Sequence, residues 1–246
     1  MHIFTAEGIV LNKLKYLETD LIVTIFSKTE GKIKGIVKGG LNSRKRFPGA
    51  FEAGNTGEFG FAEKNQHHLT YVNHARIDDY LIDLKKDYDK IVMLSYILGV
   101  TDAMLPERHA HQHLFDVLVY TLRRVETGMP LHKIRLFYEL HLLKETGLLH
   151  AMEKCEHCGR SLAAADVHLA VRTGKLLCGA CTDPRTPSYT IPPSLIEIIR
   201  ETDSHTCDAA PFETVDVSSF MFTFTTGIMK AYIDKPLKLW DMITTI

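Results

Sequence analysis

Hydrophobic and polar positions change period once along this 246-residue chain, close to residue 80. Before that point apolar residues come in short runs alternating with polar ones, the two-residue repeat of a half-buried strand. Ile3 to Leu14 carries Ile9, Val10 and Leu11, and Leu21 to Phe26 is a run of branched side chains. Lys32 to Lys38 alternates, and Glu58 to Ala62 and Leu69 to Ile77 complete the set. Thr29-Glu30-Gly31, Gly39-Gly40 and Gly54-Asn55-Thr56-Gly57 supply turn signals between them. Five short strands in this space suit a small closed barrel. The five-stranded Greek-key OB-fold has that size, and an SH3-like barrel fits the spacing as well.

From Asp83 the repeat lengthens to a helical one. Leu84, Tyr88, Ile91, Ser95 and Leu98 form an expected core stripe, ended by Pro106. A second helix is expected through Leu114, Leu118, Leu122 and Val125, stopped by Gly128 and Pro130, and a third through Ile134, Tyr138 and Leu142, stopped by Gly147. Pro192-Pro193 followed by Ser194 and Glu197 reads as a capping box before Leu195, Ile198 and Ile199. Val217, Phe220, Met221, Phe224 and Ile228 mark a last long helix. The expected architecture is α+β and multi-domain, with a barrel over 1–80, Asp78-Asp79 at its end, and a helical domain over 81–246.

Two Cys-x-x-Cys pairs, Cys155 with Cys158 and Cys178 with Cys181, interrupt that helical domain over about 153–184. Their spacing lets two knuckles set four thiolates around one tetrahedral zinc ion. Gly159 and Gly179 adjoin the pairs, where tight turns call for positive φ. A filled thiolate shell leaves no position for water or substrate, so one structural zinc ion is expected. A redox dithiol needs a single reactive pair at a helix start, and paired disulfides need an oxidising compartment. The amino terminus shows no secretory signal, which favours a cytoplasmic chain. His157 is an alternative ligand inside its knuckle, and Cys207 is expected to be a spare thiol in a polar loop.

Charge narrows the picture further. Twenty-nine basic and thirty acidic side chains leave a net charge of −1, so attraction to a polyanion must come from a local patch. One segment provides it: Lys28, Lys32, Lys34, Lys38, Arg44, Lys45 and Arg46 face only one intervening acid, Glu30. Strand alternation puts Lys32, Lys34 and Lys38 on one face, and the loop from Gly39 brings Arg44, Lys45 and Arg46 toward phosphates. Lys32, Lys34, Lys38, Arg44, Lys45 and Arg46 are therefore the candidate DNA-binding residues. Phe47, Phe51, Phe59, Phe61 and Tyr71 are candidates for base stacking or for barrel core. Phosphate-loop, dinucleotide-binding, nucleophile-elbow and zinc-protease motifs are missing from the sequence, and no catalytic residues are assigned. His109 and His113 would share a helical face, but no carboxylate or cysteine joins them at ligand spacing.

Taken in order, these features resemble the RecO family of bacterial DNA-repair and recombination-mediator proteins. The likeness rests on Glu7-Gly8-Ile9-Val10-Leu11, Tyr16-Leu17-Glu18-Thr19-Asp20, Lys38-Gly39-Gly40 leading into a basic loop, the run Arg135 to Leu143 ending at Gly147, and the cysteine unit. Typical members carry Lys-Gly-Ala-Arg-Arg after the third strand; here Leu41-Asn42 intervene and the charge moves to Arg44, Lys45 and Arg46.

The resemblance implies an N-terminal OB-fold barrel followed by a helical domain with an inserted four-cysteine zinc finger, and a role without catalytic turnover. It further implies binding to single- and double-stranded DNA, annealing of complementary strands, and loading of recombinase with RecR in the bacterial cytoplasm, at the nucleoid. The acidic tail of the single-stranded-DNA-binding protein is an implied partner, for which Arg123, Arg124 and Arg135 are candidate contacts. A zinc-dependent nucleic-acid-modifying enzyme and a protein-protein adaptor are the alternatives.

Overall fold

The structure is a computed structural model describing residues 2–43, 45–64, 69–149, 154–162, 166–170, 175–202 and 219–233, together with 237, 240 and 243. Arg44, Cys207 and Val217 lie outside the described residues.

Strands β1 (His2–Tyr16), β2 (Asp20–Ser27), β3 (Gly31–Val37), β4 (Thr56–Lys64) and β5 (Leu69–Asp79) close into a barrel in the order β1-β2-β3-β5-β4. Closure uses antiparallel pairs throughout except for β3 with β5, which run parallel where Ile36 meets Tyr71. That five-stranded Greek key is the OB-fold. Val10, Val23, Ile25, Ile33, Val37, Phe59 and Phe61 fill its interior. Ile9, Leu11 and Phe26 point the other way, into the core of the helical domain. The unbroken run Ile9-Val10-Leu11 thus has a physical reason: β1 is buried on both faces there. A bulge between Val10 and Asn12 then resets which β1 side chains face inward.

Helices α1 (Tyr88–Met104), α2 (Gln112–Thr127), α3 (Leu131–Glu145), α4 (Pro193–Glu201) and α5 (Ser219–Tyr232) build the second domain. Asp87 caps α1 by accepting the Lys90 N–H, after a short 3-10 turn at Leu84–Lys86. The stripe expected on α1 does not describe its core face. Tyr88 is 75% exposed and Ile91 38%. Val92, Met93, Tyr96, Ile97 and Val100 are buried beside Leu98, because barrel, α2 and α3 all pack around this helix. Helix α3 is buried continuously from Ile134 to Leu143. Helix α4 starts at Pro193, so Ser194 lies in its first turn rather than at the cap, and proline takes the first helical position it favours.

The segment between α1 and α2 docks on the barrel. Arg108 N–H donates to the Lys32 carbonyl at 3.0 Å, and Gly31 turns beneath it at φ +69°. A Cβ on Gly31 would stand 2.1 Å from the His109 carbonyl oxygen, so only glycine fits. Between α3 and α4, strands β6 (Val167–Ala170), β7 (Leu176–Cys178) and β8 (Ser188–Ile191) form a small sheet in the order β7-β6-β8. No helix among the described residues is long and apolar enough to cross a membrane.

Candidate nucleic-acid interface and metal centre

Register across the barrel wall lines up one outward row. Leu14 pairs with Ile22, Ile22 with Ile36, and Ile36 with Tyr71. Leu14 is 59% exposed and the other three are half-buried, giving an apolar stripe across four strands. Lys34 lies in the next row, opposite Thr24, and Lys38 follows β3 beside Asp20. Tyr71 and Tyr16 both lie close enough to Lys38 to add to the raising of its pKa, which places these aromatics near it. An apolar stripe with aromatics between cations is the composition that holds unpaired bases and their phosphates.

Carboxylates hold both lysines. Lys34 meets Glu107 at 2.6 Å and Lys38 meets Asp20 at 2.9 Å. Asp20 is a built acceptor: the Gly39 N–H donates to it at 2.8 Å. That bond, followed by Lys38, holds the Asp20 carboxyl below its usual range. Asp20 in turn raises Lys38, and Glu107 raises Lys34 while being lowered by it.

The structure does not bring all the expected cations together. Lys32 is 6% exposed and donates to the Asp102 backbone carbonyl and, at 3.1 Å, to its carboxylate. Alternation does give it the outward direction, but the helical domain covers that end of β3. Lys32 is accordingly a domain-packing residue and leaves the candidate face, a correction that the strand pattern could not supply. Arg46 reaches β5, donating to the Asn73 carbonyl at 2.8 Å with its guanidinium 4.7 Å from the Phe47 ring, and Lys45 is exposed. Phe47, Phe51, Phe59 and Phe61 are barrel core, which leaves Tyr71 as the outward member of that group. Tyr16 was missed because the first strand was ended at Leu14; carrying its alternation two residues further would have found it.

Within the cysteine unit, the Sγ atoms of Cys155, Cys158, Cys178 and Cys181 all lie within 4.8 Å of one another. Cys158 and Cys178 are 3.9 Å apart. Tetrahedral zinc with Zn–S bonds of about 2.3 Å requires sulfurs roughly 3.8 Å apart, so the four can hold one metal ion. Gly159 takes φ +71° and returns its N–H to the Cys155 carbonyl, whereas Gly179 opens a 3-10 turn and is not at positive φ. The Cys178 N–H, at 3.4 Å from Cys155 Sγ, is the main cause that brings that thiol down to about 6. Cys181 is pushed up to about 12, chiefly by the neighbouring Cys158. Four thiolates cannot share this space without a cation, which is the fit a bound metal supplies. His157 is exposed and outside the group.

A second concave site lies in the helical domain. A groove of about 570 Å³ runs between Met93, Phe222 and Trp240, with Arg135 and Lys230 at its walls. Arg135 is nearly buried and held by Glu139 at 2.7 Å, while its guanidinium lies 4.5 Å from the Phe222 ring. Arg123 and Arg124 do not line it; Arg124 stands over Tyr120. The histidine motif differs from expectation, since α2 begins at Gln112 and His109 precedes it. His109 and His111 are 3.1 Å apart, and Glu145 of α3 joins His111 at 3.0 Å. The three form a line rather than a cage, and the four cysteines are the one metal-capable group among the described residues.

Residues 1–80 match the Recombination protein O N-terminal family and residues 85–241 the Recombination protein O C-terminal family. The chain is similar to the DNA repair protein RecO of Pelobacter propionicus, with 32% identity over 74% of this chain and 73% of that one. It is also similar to the DNA repair protein RecO of Syntrophus aciditrophicus, with 29% identity over 74% and 71% of the two chains. The Geobacter metallireducens protein of the same name is 30% identical over 71% of each.

Proposed function

Because the chain belongs to the RecO family of DNA repair proteins, we propose that it is a non-enzymatic recombination mediator that binds single- and double-stranded DNA and anneals complementary strands. In this reading the barrel, residues 1–80, handles DNA, and the helical domain, 81–246 with its cysteine insertion at 153–184, handles partners. The observation that carries it is the outward row Leu14-Ile22-Ile36-Tyr71 set between Lys34 and Lys38, with Tyr16 beside it. The carboxylates on the two lysines do not close the face. Both lysine side chains are more than half exposed and Glu107 is about half exposed, whereas Asp20 is buried; a phosphate can therefore displace Glu107 from Lys34 and can approach Lys38 from its open side while Asp20 stays in place.

Together with RecR the protein would load recombinase in the cytoplasm onto single strands coated by the single-stranded-DNA-binding protein. The groove beside Arg135 and Lys230 has the chemistry for that protein's acidic tail: cations for its carboxylates and an apolar floor for its side chains. The four cysteines would hold one zinc ion that serves stability.

A salt titration tests the DNA reading. About five contacts, from Lys34, Lys38, Arg44, Lys45 and Arg46, at a slope near −0.7 each, reduce single-strand affinity roughly a hundredfold between 50 and 200 mM salt. Alanine at these positions should weaken binding and leave the fold intact, read as a single cooperative thermal transition. A flat salt response overturns the reading.

A further inference from the structure

Past the bulge at Val10, strand β1 carries cations on one face and apolar side chains on the other. Leu14 and Tyr16 look onto the outer row described above. Lys13 and Lys15 pair with Val23 and Leu21, whose side chains point into the barrel. Both lysines therefore turn toward the barrel mouth, where a cleft of about 810 Å³ opens between them and the loop over 40–52. Leu21 and the 40%-exposed Leu41 give the cleft apolar surface, and Asn42 and Ser43 give it polar surface. Lys15 has no acidic partner among the described residues; Lys13 meets Glu52, the acid lining the cleft, at 2.5 Å in an exposed pair.

We infer that this cleft is a second seat for single-stranded nucleic acid, so that the β1–β2 hairpin stands between two strands, one on each face. The inference rests on the DNA-binding reading above and extends it. Annealing needs two strands held close at the same time, and the outer row offers room for one. Long side chains on opposite faces of one β-layer end on the order of 10 Å or more apart, about a Debye length at moderate salt. Two polyanions at that distance repel unless cations stand between them. Lys13 and Lys15 on the inner side, and Lys34 and Lys38 on the outer side, occupy those positions. The cleft's mixture of apolar and cationic surface suits bases and phosphates together, and both cations sit on one edge, as a single backbone requires.

Stoichiometry of the whole 246-residue chain decides the matter. A labelled oligonucleotide of about 10 nucleotides, within the 4–16 that one OB barrel covers, is titrated at low salt, and annealing of two complementary oligonucleotides is timed in parallel. The wild type should take two oligonucleotides per chain. K13A/K15A and K34A/K38A should each take one, and each should anneal at least about tenfold more slowly. Lys15 has no ion pair to lose among the described residues and the Lys13 pair is exposed, so K13A/K15A should melt as the wild type does; K34A/K38A gives up the pairs to Glu107 and Asp20, and a retained single cooperative melting transition verifies that it is folded. Two oligonucleotides still bound to K13A/K15A, or annealing at the wild-type rate, would overturn the second seat while leaving the outer face intact. Loss of all binding in K13A/K15A with none in K34A/K38A would instead overturn the outer-face reading, and the two-seat arrangement with it. A polyglutamate peptide that displaces the oligonucleotide from K34A/K38A but not from K13A/K15A would assign the cleft to acidic protein segments and also overturn the proposal.

Discussion

Replacing Glu139 tests how the helical domain holds Arg135 at the groove. Glu139 is fully buried and accepts hydrogen bonds from the Tyr96 hydroxyl, from Arg135 Nε at 2.7 Å and from the Thr225 hydroxyl. Burial, followed by the Glu139 charge, keeps the Tyr96 phenol well above its usual range, so its proton stays in place as a donor. In Glu139→Leu, Thr225 keeps the Met221 carbonyl at 3.1 Å, but Tyr96 and Arg135 Nε lose their acceptor. Each such buried orphan costs about 1–3 kcal/mol, and breaking a buried ion pair from one side costs about 3–5 kcal/mol. Arg135 retains Thr226 at 3.0 Å and the Tyr96 and Phe222 rings, so the expected loss is about 4 kcal/mol rather than more. Glu139→Gln keeps one acceptor oxygen and should lose about 2 kcal/mol. Adding Arg135→Met to Glu139→Leu removes the stranded charge and leaves only the Tyr96 hydroxyl without its acceptor, so it should restore stability to within about 2 kcal/mol of wild type. Urea unfolding followed through Trp240, the chain's one tryptophan, reports on the same site, because its ring lies 5.8 Å from that of Tyr96. A loss below about 1 kcal/mol in Glu139→Leu, or a double variant no more stable than the single, would refute this account.

Three further outcomes are expected. Gly31→Ala must place a methyl against the His109 backbone, so it should cost at least about 2 kcal/mol, whereas Gly39→Ala, at φ +64° with open space around it, should cost only about 1 kcal/mol; thermal melts of the pair check this. The depressed Asp20 pKa means that its contribution to stability is present above the unfolded value near 3.8 and is lost as pH falls through the lower folded value; the raised Lys38 pKa contributes below 10.5 and is lost as pH rises through its folded value. Asp20→Asn should therefore flatten stability loss on the acid side below about pH 4, and an unchanged acid limb would count against the pair. Cys155→Ser should lower bound metal from one ion per chain and open the segment around 154–191 to protease, since finger-type sites contribute on the order of 10 kcal/mol. Unchanged zinc stoichiometry would reject Cys155 as a ligand.

The lysines show how function follows from packing rather than from charge alone. Lys32 and Lys34 are two residues apart on one strand, yet one is nearly buried against Asp102 and the other is 52% exposed beside Glu107. The buried one fixes the helical domain to the barrel. The exposed one can exchange its carboxylate for another anion.

The amino-acid sequence by itself determined the strands, since short alternating or branched apolar runs between turn signals suit an extended chain, and it determined the cysteine cluster, since two short knuckles bring their own ligands together locally. It also marked α2, whose Leu114, Leu118, Leu122 and Val125 are all buried as their spacing requires. Only the tertiary structure decided which side of α1 meets solvent, because a helix surrounded by barrel, α2 and α3 carries apolar residues all round and its stripe loses meaning. It likewise decided which lysines stay exposed, that Glu145 reaches His111 across 34 residues, and that Leu14, Ile22, Ile36 and Tyr71 form one row. These depend on contacts between segments far apart in the chain, and a local pattern of hydrophobic and polar residues does not record which distant surface will cover it.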